Sequence, residues 1–172
     1  MLAALAVYLM QLKYRVVYIS DCYKLVKDPI HGLRLALIAA FIDDDDRCAE
    51  FKEAENADQL DQCCKRLLES SVQVTFIIDQ TNAFDPHPDV PESPQDLINK
   101  GVAKTLINHC SSGHFSICGA SANNQTAKHF RNRQQGAVGK IIDLNGGLSA
   151  VSSCESCSVL ICLLLNFCLH HL

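Results

Sequence analysis

The chain has 172 residues, 48% of them hydrophobic, with 19 acidic and 15 basic side chains and a net charge of −4. This length suits one domain with its own core, and the composition excludes an intrinsically disordered chain. The acidic balance argues against a dedicated nucleic-acid surface, which needs a basic face. The ten cysteines are irregularly spaced, so we expect reduced thiols in an intracellular setting and no disulfide framework.

The N-terminal residues 1–12, MLAALAVYLMQL, are almost entirely apolar, and a strand pattern, YRVVYIS, follows at residues 14–20. The apolar run is too short to span a membrane, which takes about 20 residues. It also lacks the basic start and the small-residue cleavage site of a secretory signal. We therefore predict a buried helix that leads into a β-strand, with a signal at residues 1–10 as the alternative.

Two sequence signals delimit the next helix. Residues 21–27 are expected to form a loop, after which Asp28 and Pro29 mark a helix start, because Asp caps a helix and Pro suits its first turn. Apolar side chains lie almost all round residues 30–42, so we expect this helix to be well buried. The carboxylates at residues 43–46 end it and are typical of a solvated loop or helix start, since neighbouring like charges repel.

Residues 47–70 are polar but carry apolar side chains at spacings of three and four. This spacing predicts a helix with one packed face and one wet face. The adjacent Cys63 and Cys64 are expected to lie one in the core and one on the surface.

The sequence is organised around residues 72–86, VQVTFIIDQTNAFDP. Its apolar run suits a parallel strand that is covered on both faces. Asp79 follows that strand directly, at the edge of the sheet where ligands of open α/β proteins bind. A carboxylate there can hold a hydrated Mg²⁺ beside a phosphate, and the alternative is an Asp that caps the next loop.

Further elements follow the central strand. After a proline-rich loop, Ser93 and Pro94 start a helix that runs to His109, and HFSICGASA, residues 114–122, predicts a buried strand. A helix after residue 122 and a short strand at residues 140–144 complete the order. This alternation predicts an α/β fold with a parallel sheet flanked by helices.

The C-terminal residues 149–172 are rich in Cys, Ser and Leu, and we treat them as an apolar tail outside the domain at residues 1–148. Cys154 and Cys157 are followed at the end of the tail by adjacent histidines. Adjacent histidines do not easily reach one tetrahedral ion, so we expect no zinc site there.

Several stretches together resemble a P-loop nucleoside triphosphatase, and more narrowly the NTPase-like domain of fungal Crinkler-type proteins. They are RVVYISDC with the later Asp28-Pro29, then FIIDQTNAFDP, ICGASANNQ and the glycine pair at residues 146–147. The resemblance covers residues 1–148.

The resemblance implies roles for particular residues. FIID would be the Walker B strand, with Asp79 as the Mg²⁺ ligand and Gln80 beside it in the nucleotide site. Asn123 or Asn124 would contact the terminal phosphate, and residues 1–12 would be the helix that follows a phosphate loop. Mg-ATP would be the cofactor only if the full-length protein has a phosphate loop.

The phosphate loop itself is the main departure from the family. GxxxxGK[ST] does not occur in the 172 residues, so we expect an incomplete P-loop NTPase-like sheet, without the first strand and the phosphate loop. Gln80 stands where the family often has an acidic residue, and an amide orients water but is no base. Asp85 is the candidate substitute.

We therefore expect a degenerate NTPase-like module of a Crinkler-type, effector-like protein that does not hydrolyse ATP by itself and acts through an unidentified protein partner. The alternatives are an active ATPase or GTPase with atypical phosphate contacts and a secreted or membrane-associated interaction protein. We expect a soluble intracellular chain without a transmembrane span, although the family resemblance also implies secretion and a host-cell nucleus.

Overall fold

A computed structural model describes residues 2–85 and 91–119, which form a three-stranded parallel sheet flanked by helices. The elements in chain order are α1 (Leu2–Gln11), β1 (Arg15–Ile19), α2 (Cys22–Lys27), α3 (Pro29–Ala40), α4 (Asp45–Glu53), α5 (Ala57–Glu69), β2 (Val74–Ile78), a 3₁₀ helix (Thr81–Phe84), α6 (Pro94–Cys110) and β3 (Phe115–Cys118). The predicted α/β class with a parallel sheet is confirmed. The predicted helix after residue 122, the strand at residues 140–144 and the tail at residues 149–172 lie outside the described residues.

The sheet has the order β1-β2-β3, so β2 is hydrogen-bonded on both sides. β1 pairs with β2 from Arg15 opposite Val74 to Ile19 opposite Ile78. All five residues of β2 are buried, the polar Thr75 among them, which confirms the predicted strand that is covered on both faces. Because side chains alternate between the faces of a strand, helices must cover both faces of β2.

The main core lies on one face of the sheet. It joins alternate residues of β2, Val74, Phe76 and Ile78, with buried side chains from α2 to α6. α1 contacts β1 and buries Leu2, Leu5, Ala6 and Leu9, none of which belongs to that cluster.

α1 confirms the predicted N-terminal helix. Its burial is limited to one face, because Val7 and Met10 are exposed. Among residues 2–85 and 91–119, no helix has both the length and the apolar character needed to cross a membrane.

β3 differs from the fully buried strand predicted at residues 114–122. Phe115 and Ile117 are half-buried, whereas Ser116 and Cys118 are exposed. β3 pairs with β2 alone among the described strands, so it lacks the cover that β2 receives from both neighbours.

Aspartate caps start three of the helices. The Asp21 carboxylate accepts a hydrogen bond from the Lys24 N–H at 3.1 Å and starts α2, so the predicted loop at residues 21–27 is wrong. Asp28 caps α3, with Pro29 in its first turn, as predicted. Asp44 caps α4, and the carboxylates after it occupy the first turn of that helix. The positive end of the helix dipole stabilises their negative charge there.

The predicted burial of residues 30–42 all round the helix is wrong. α3 packs against β1, α4 and α6 and buries Leu33 and Leu37 completely. Leu35 lies on its outer side and is 51% exposed. Neighbouring elements cover only one face of this helix. The apolar side chains on its other face, such as Leu35, stay in contact with water.

The polar segment at residues 47–70 forms two helices, α4 and α5, where one was predicted. The chain leaves the helix at Ala54, and the Asn56 side chain starts α5 by accepting a hydrogen bond from the Gln59 N–H at 3.0 Å. Cys63 and Cys64 are both buried, so the predicted surface position of one of them is wrong.

The six described cysteines are free thiols, and all of them except Cys118 are buried. A hydrogen bond with Cys110, together with burial, raises the pKa of Cys64 far above its usual range. The Cys48 thiol donates to the Phe41 carbonyl at 3.0 Å. The buried thiols fill space in the core as small apolar side chains do. We expect them to be unreactive, because a buried neutral thiol is a poor nucleophile.

His114 is a titratable group packed between β2 and α5. Its ring lies 5.7 Å from that of Phe76, and Nε2 is 3.3 Å from the Cys64 carbonyl oxygen. A carbonyl only accepts, so the neutral ring donates from Nε2. Nδ1 is buried and has no partner among the described residues, and burial lowers the pKa of His114 below 6.5.

We predict that this histidine makes the fold less stable in mild acid. As the pH falls through 6.5 the unfolded chain takes up a proton that folded His114 resists, so the free energy of unfolding should decrease from about pH 7 to 5. Urea unfolding across this range should show a smaller decrease in His114→Phe, which keeps an aromatic ring against Phe76. The matched control is His109→Phe, at an exposed position, which should retain the wild-type pH dependence. Equal pH dependence in His114→Phe and wild type would show that His114 does not cause the loss of stability in mild acid.

Candidate functional site at the carboxyl edge of the sheet

Asp79 lies where the ends of the three strands meet. Its N–H donates to the Ile19 carbonyl at the end of β1, at 2.8 Å, and the Gly119 N–H donates to the Ile78 carbonyl, also at 2.8 Å. The residue after the central strand is therefore held between the ends of both outer strands. This is the edge where open parallel sheets bind ligands.

The half-buried Asp79 carboxylate has one oxygen engaged by the backbone. Oδ1 accepts a hydrogen bond from the Gln80 N–H at 2.8 Å, which is the loop-capping contact weighed as the alternative to metal binding. No residue in the described ranges donates to Oδ2 or forms an ion pair with the carboxylate. The two interpretations are compatible, because one oxygen caps the turn while the other has no donor within the described part of the chain.

Gln80 turns the chain sharply away from the sheet. It adopts φ 60° and ψ 41°, a left-handed conformation that a residue with a side chain rarely takes. This conformation costs about 1–2 kcal/mol. The contacts to Asp79 and to the 3₁₀ helix offset that cost, since the Gln80 carbonyl also accepts from the Ala83 N–H at 2.9 Å. A hydrogen bond from the backbone N–H of Gln80 thus joins it to Asp79, and its role in a nucleotide site stays a prediction.

Gly119 and Thr81 are site residues that the sequence analysis did not single out. The Thr81 N–H and hydroxyl both donate to the Gly119 carbonyl, at 2.9 and 3.1 Å. A Cβ on Gly119 would lie 2.5 Å from Leu2 Cδ1 and 3.3 Å from Asp79 Oδ1. The start of α1, Asp79 and the end of β3 therefore meet in a space that excludes a larger residue, and a glycine directly after a strand was the available signal.

Two further groups near Asp79 remain protonated. Burial, then the neighbouring Cys118, then Asp79 and Asp21 raise the pKa of Cys22 to about 12. Burial and the charge of Asp79 raise the pKa of Tyr18. Neither side chain supplies an anionic nucleophile at neutral pH.

Asp85 lies at the far end of the 3₁₀ helix from Gln80. Its N–H donates to the Asn82 carbonyl at 3.2 Å, and its carbonyl accepts from Lys100 Nζ at 2.8 Å. Lys100, which is largely buried, also pairs with Glu92. The backbone of Asp85 is thereby anchored to α6, and its role as a substitute for the missing base stays a prediction. Asn123 and Asn124 lie outside the described residues.

The donor set at this edge fits a hydrated Mg²⁺ through one protein ligand. The described residues contain no group of three or more His, Cys, Asp or Glu side chains able to hold a metal. Mg²⁺ usually keeps several waters and binds through one or two carboxylates plus phosphate oxygens. Asp79 Oδ2 suits that mode, and a tight site made of described protein ligands alone is excluded.

We compared the chain with models of known families, with curated proteins and with solved structures, and none of the three comparisons gives a match. The resemblance to P-loop and Crinkler-type proteins therefore depends on the motifs quoted above.

We predict that Gly119→Val lowers the free energy of unfolding by about 1–3 kcal/mol, the usual cost of overpacking. The added methyl groups would displace Leu2 and crowd the Asp79 carboxylate. Gly101→Val is the matched control, because a Cβ there has no neighbour within 4 Å, and it should leave stability almost unchanged. Chemical denaturation of both variants measures the difference, and equal stability would show that the contacts at Gly119 are not tight.

Proposed function

We propose that this chain is a degenerate NTPase-like module of the Crinkler type that does not hydrolyse nucleoside triphosphates by itself. The observation that carries the proposal is the position of Asp79, at the carboxyl end of the central strand of a parallel sheet and beside the start of α1. The resemblance assigns this position to the Walker B carboxylate and this helix to the one after a phosphate loop.

The free carboxylate oxygen supports a residual metal function. Oδ2 of Asp79 has no donor among the described residues, so hydrated Mg²⁺ can bind there without breaking a protein hydrogen bond. When bound, the ion would supply charge neutralisation for a phosphate group. Asp79 would orient it from the end of the strand that is hydrogen-bonded on both sides.

The residues around Asp79 support the proposed lack of hydrolysis. A phosphate loop works through backbone N–H groups and a lysine at a helix N-terminus, and the 172 residues contain no GxxxxGK[ST] pattern. Gln80 cannot act as a base, and Cys22 and Tyr18 stay protonated. We therefore place the function in binding, through a protein partner, within a soluble intracellular or effector-like protein.

We predict weak, site-specific metal binding at Asp79. Paramagnetic Mn²⁺, used in place of Mg²⁺, should broaden the amide NMR signals of Gln80, Thr81 and Gly119 more than those of other residues. Asp79→Asn should abolish this selectivity while it keeps an oxygen acceptor for the Gln80 N–H. Asp46→Asn, in the exposed first turn of α4, is the matched control and should change nothing at this edge. Unselective broadening in the wild type would mean that Asp79 serves only as a cap.

We predict that Mg-ATP hardly changes stability. A ligand at a concentration near its Kd adds about 0.4 kcal/mol, so about 1 mM Mg-ATP should raise the Tm of the cooperatively unfolding chain by less than about 2 °C. Phosphate release should equal that of Asp79→Asn.

The same measurement distinguishes the active alternative. A Tm increase of several degrees, together with steady phosphate release that Asp79→Asn removes and Asp85→Asn reduces, would establish an ATPase with atypical phosphate contacts.

A further inference from the structure

A groove separates the start of α5 from one face of α6, away from Asp79. Its volume is about 440 Å³, and its walls include Ala57, Asp58 and Asp61 from α5 and Ile98, Val102 and Leu106 from α6. The α6 residues are spaced by four, so they lie on one side of that helix. The groove follows this side as far as His109, which is about three turns or 16 Å of helix.

The α6 wall is apolar and open to solvent. Ile98 is 58% exposed and Val102 is 44% exposed, although each is large enough to be a core side chain. Gly101, between them on the same side, has no neighbour within 4 Å of its Cβ position. The missing side chain lets another backbone approach α6 closely.

The α5 wall carries a carboxylate, Asp61, with one oxygen that lacks a hydrogen-bond partner among the described residues. Asp61 is only 15% exposed, and its Oδ2 accepts from Lys65 Nζ at 2.6 Å. Its Oδ1 is buried and has no hydrogen-bond partner among the described residues. Because solvent does not reach Oδ1, Asp61 attracts a cation in the groove through its charge, together with the exposed Asp58 that also lines the groove.

The charges around the groove favour a cation. Asp58 and Asp61 line it, Lys65 is already paired with Asp61, and His109 stands at the far end. An ammonium or guanidinium group of a bound partner would therefore lie near two carboxylates and near one lysine that is already paired with Asp61.

We propose that this groove docks an amphipathic helix of a partner protein, with apolar side chains against Ile98 and Val102 and a Lys or Arg against Asp61. A small-molecule pocket buries most of its ligand, whereas this face is open along three helical turns. Helix-in-groove recognition uses apolar anchors at spacings of three, four and seven, which matches the length and pattern of the α6 wall. The inference is independent of nucleotide chemistry at Asp79.

Selection from a displayed library of random peptides of about 14 residues tests the proposal on the full chain. At this length an isolated helix is marginal, so binding in the groove would have to stabilise it. Enriched peptides should combine apolar residues at helical spacing with at least one Lys or Arg. Fluorescence anisotropy with the strongest synthetic peptide should show binding weakened about threefold or more by Asp61→Asn, because one of the two carboxylates that attract the cation is lost. Val102→Arg should abolish binding.

One control variant and a second groove variant complete the experiment. Leu35→Arg alters a similarly exposed leucine on α3 and should bind like the wild type. Ile98→Glu changes the groove at an exposed position, so it provides a second folded variant if Asp61→Asn unfolds, and it should weaken binding as Val102→Arg does. Enriched peptides without basic residues, no enrichment at all, or equal binding by the wild type, Val102→Arg and Ile98→Glu would each overturn the proposal.

Discussion

The structure depends on the complete burial of β2. This strand is hydrogen-bonded to β1 and β3, and all five of its side chains are buried. A strand buried in this way has no polar side to turn to solvent, so helices must cover both of its faces. Asp79 is the first residue at which the chain leaves this apolar layer. Its half-buried position therefore follows directly from the length of the strand before it.

The sequence predicts elements well where one local signal dominates. The apolar run of β2, the Asp28-Pro29 helix start and the acidic start of α4 each act over a few residues. Tertiary packing decides the rest. The repeat in residues 47–70 continues across the break at Ala54, and no periodicity reveals a change of helix axis. Leu35 is as apolar as Leu33, and only the positions of β1 and α4 determine which of them is covered.

The sequence predicts the position of Asp79, because a carboxylate that directly follows a buried strand must lie at the carboxyl end of that strand. It does not reveal the left-handed backbone of Gln80 or the close approach of Leu2 to Gly119, which result from contacts between distant parts of the chain. The α5–α6 groove was also missed. Ile98 and Val102 look like core residues in a helical pattern, and their exposure appears only once the neighbouring helix has been placed.

Among the described residues, five buried thiols can report on how the folded protein opens. None of the five is in a disulfide and each is packed inside, so a thiol reagent in solution reaches it only when the surrounding helices separate. Alkylation of Cys22 would follow the opening of the sheet edge beside Asp79, whereas alkylation of Cys64 and Cys110 would follow the separation of α5 from α6. The native cysteines therefore distinguish local from global unfolding in the way that amide exchange does for backbone hydrogen bonds, without any engineered label.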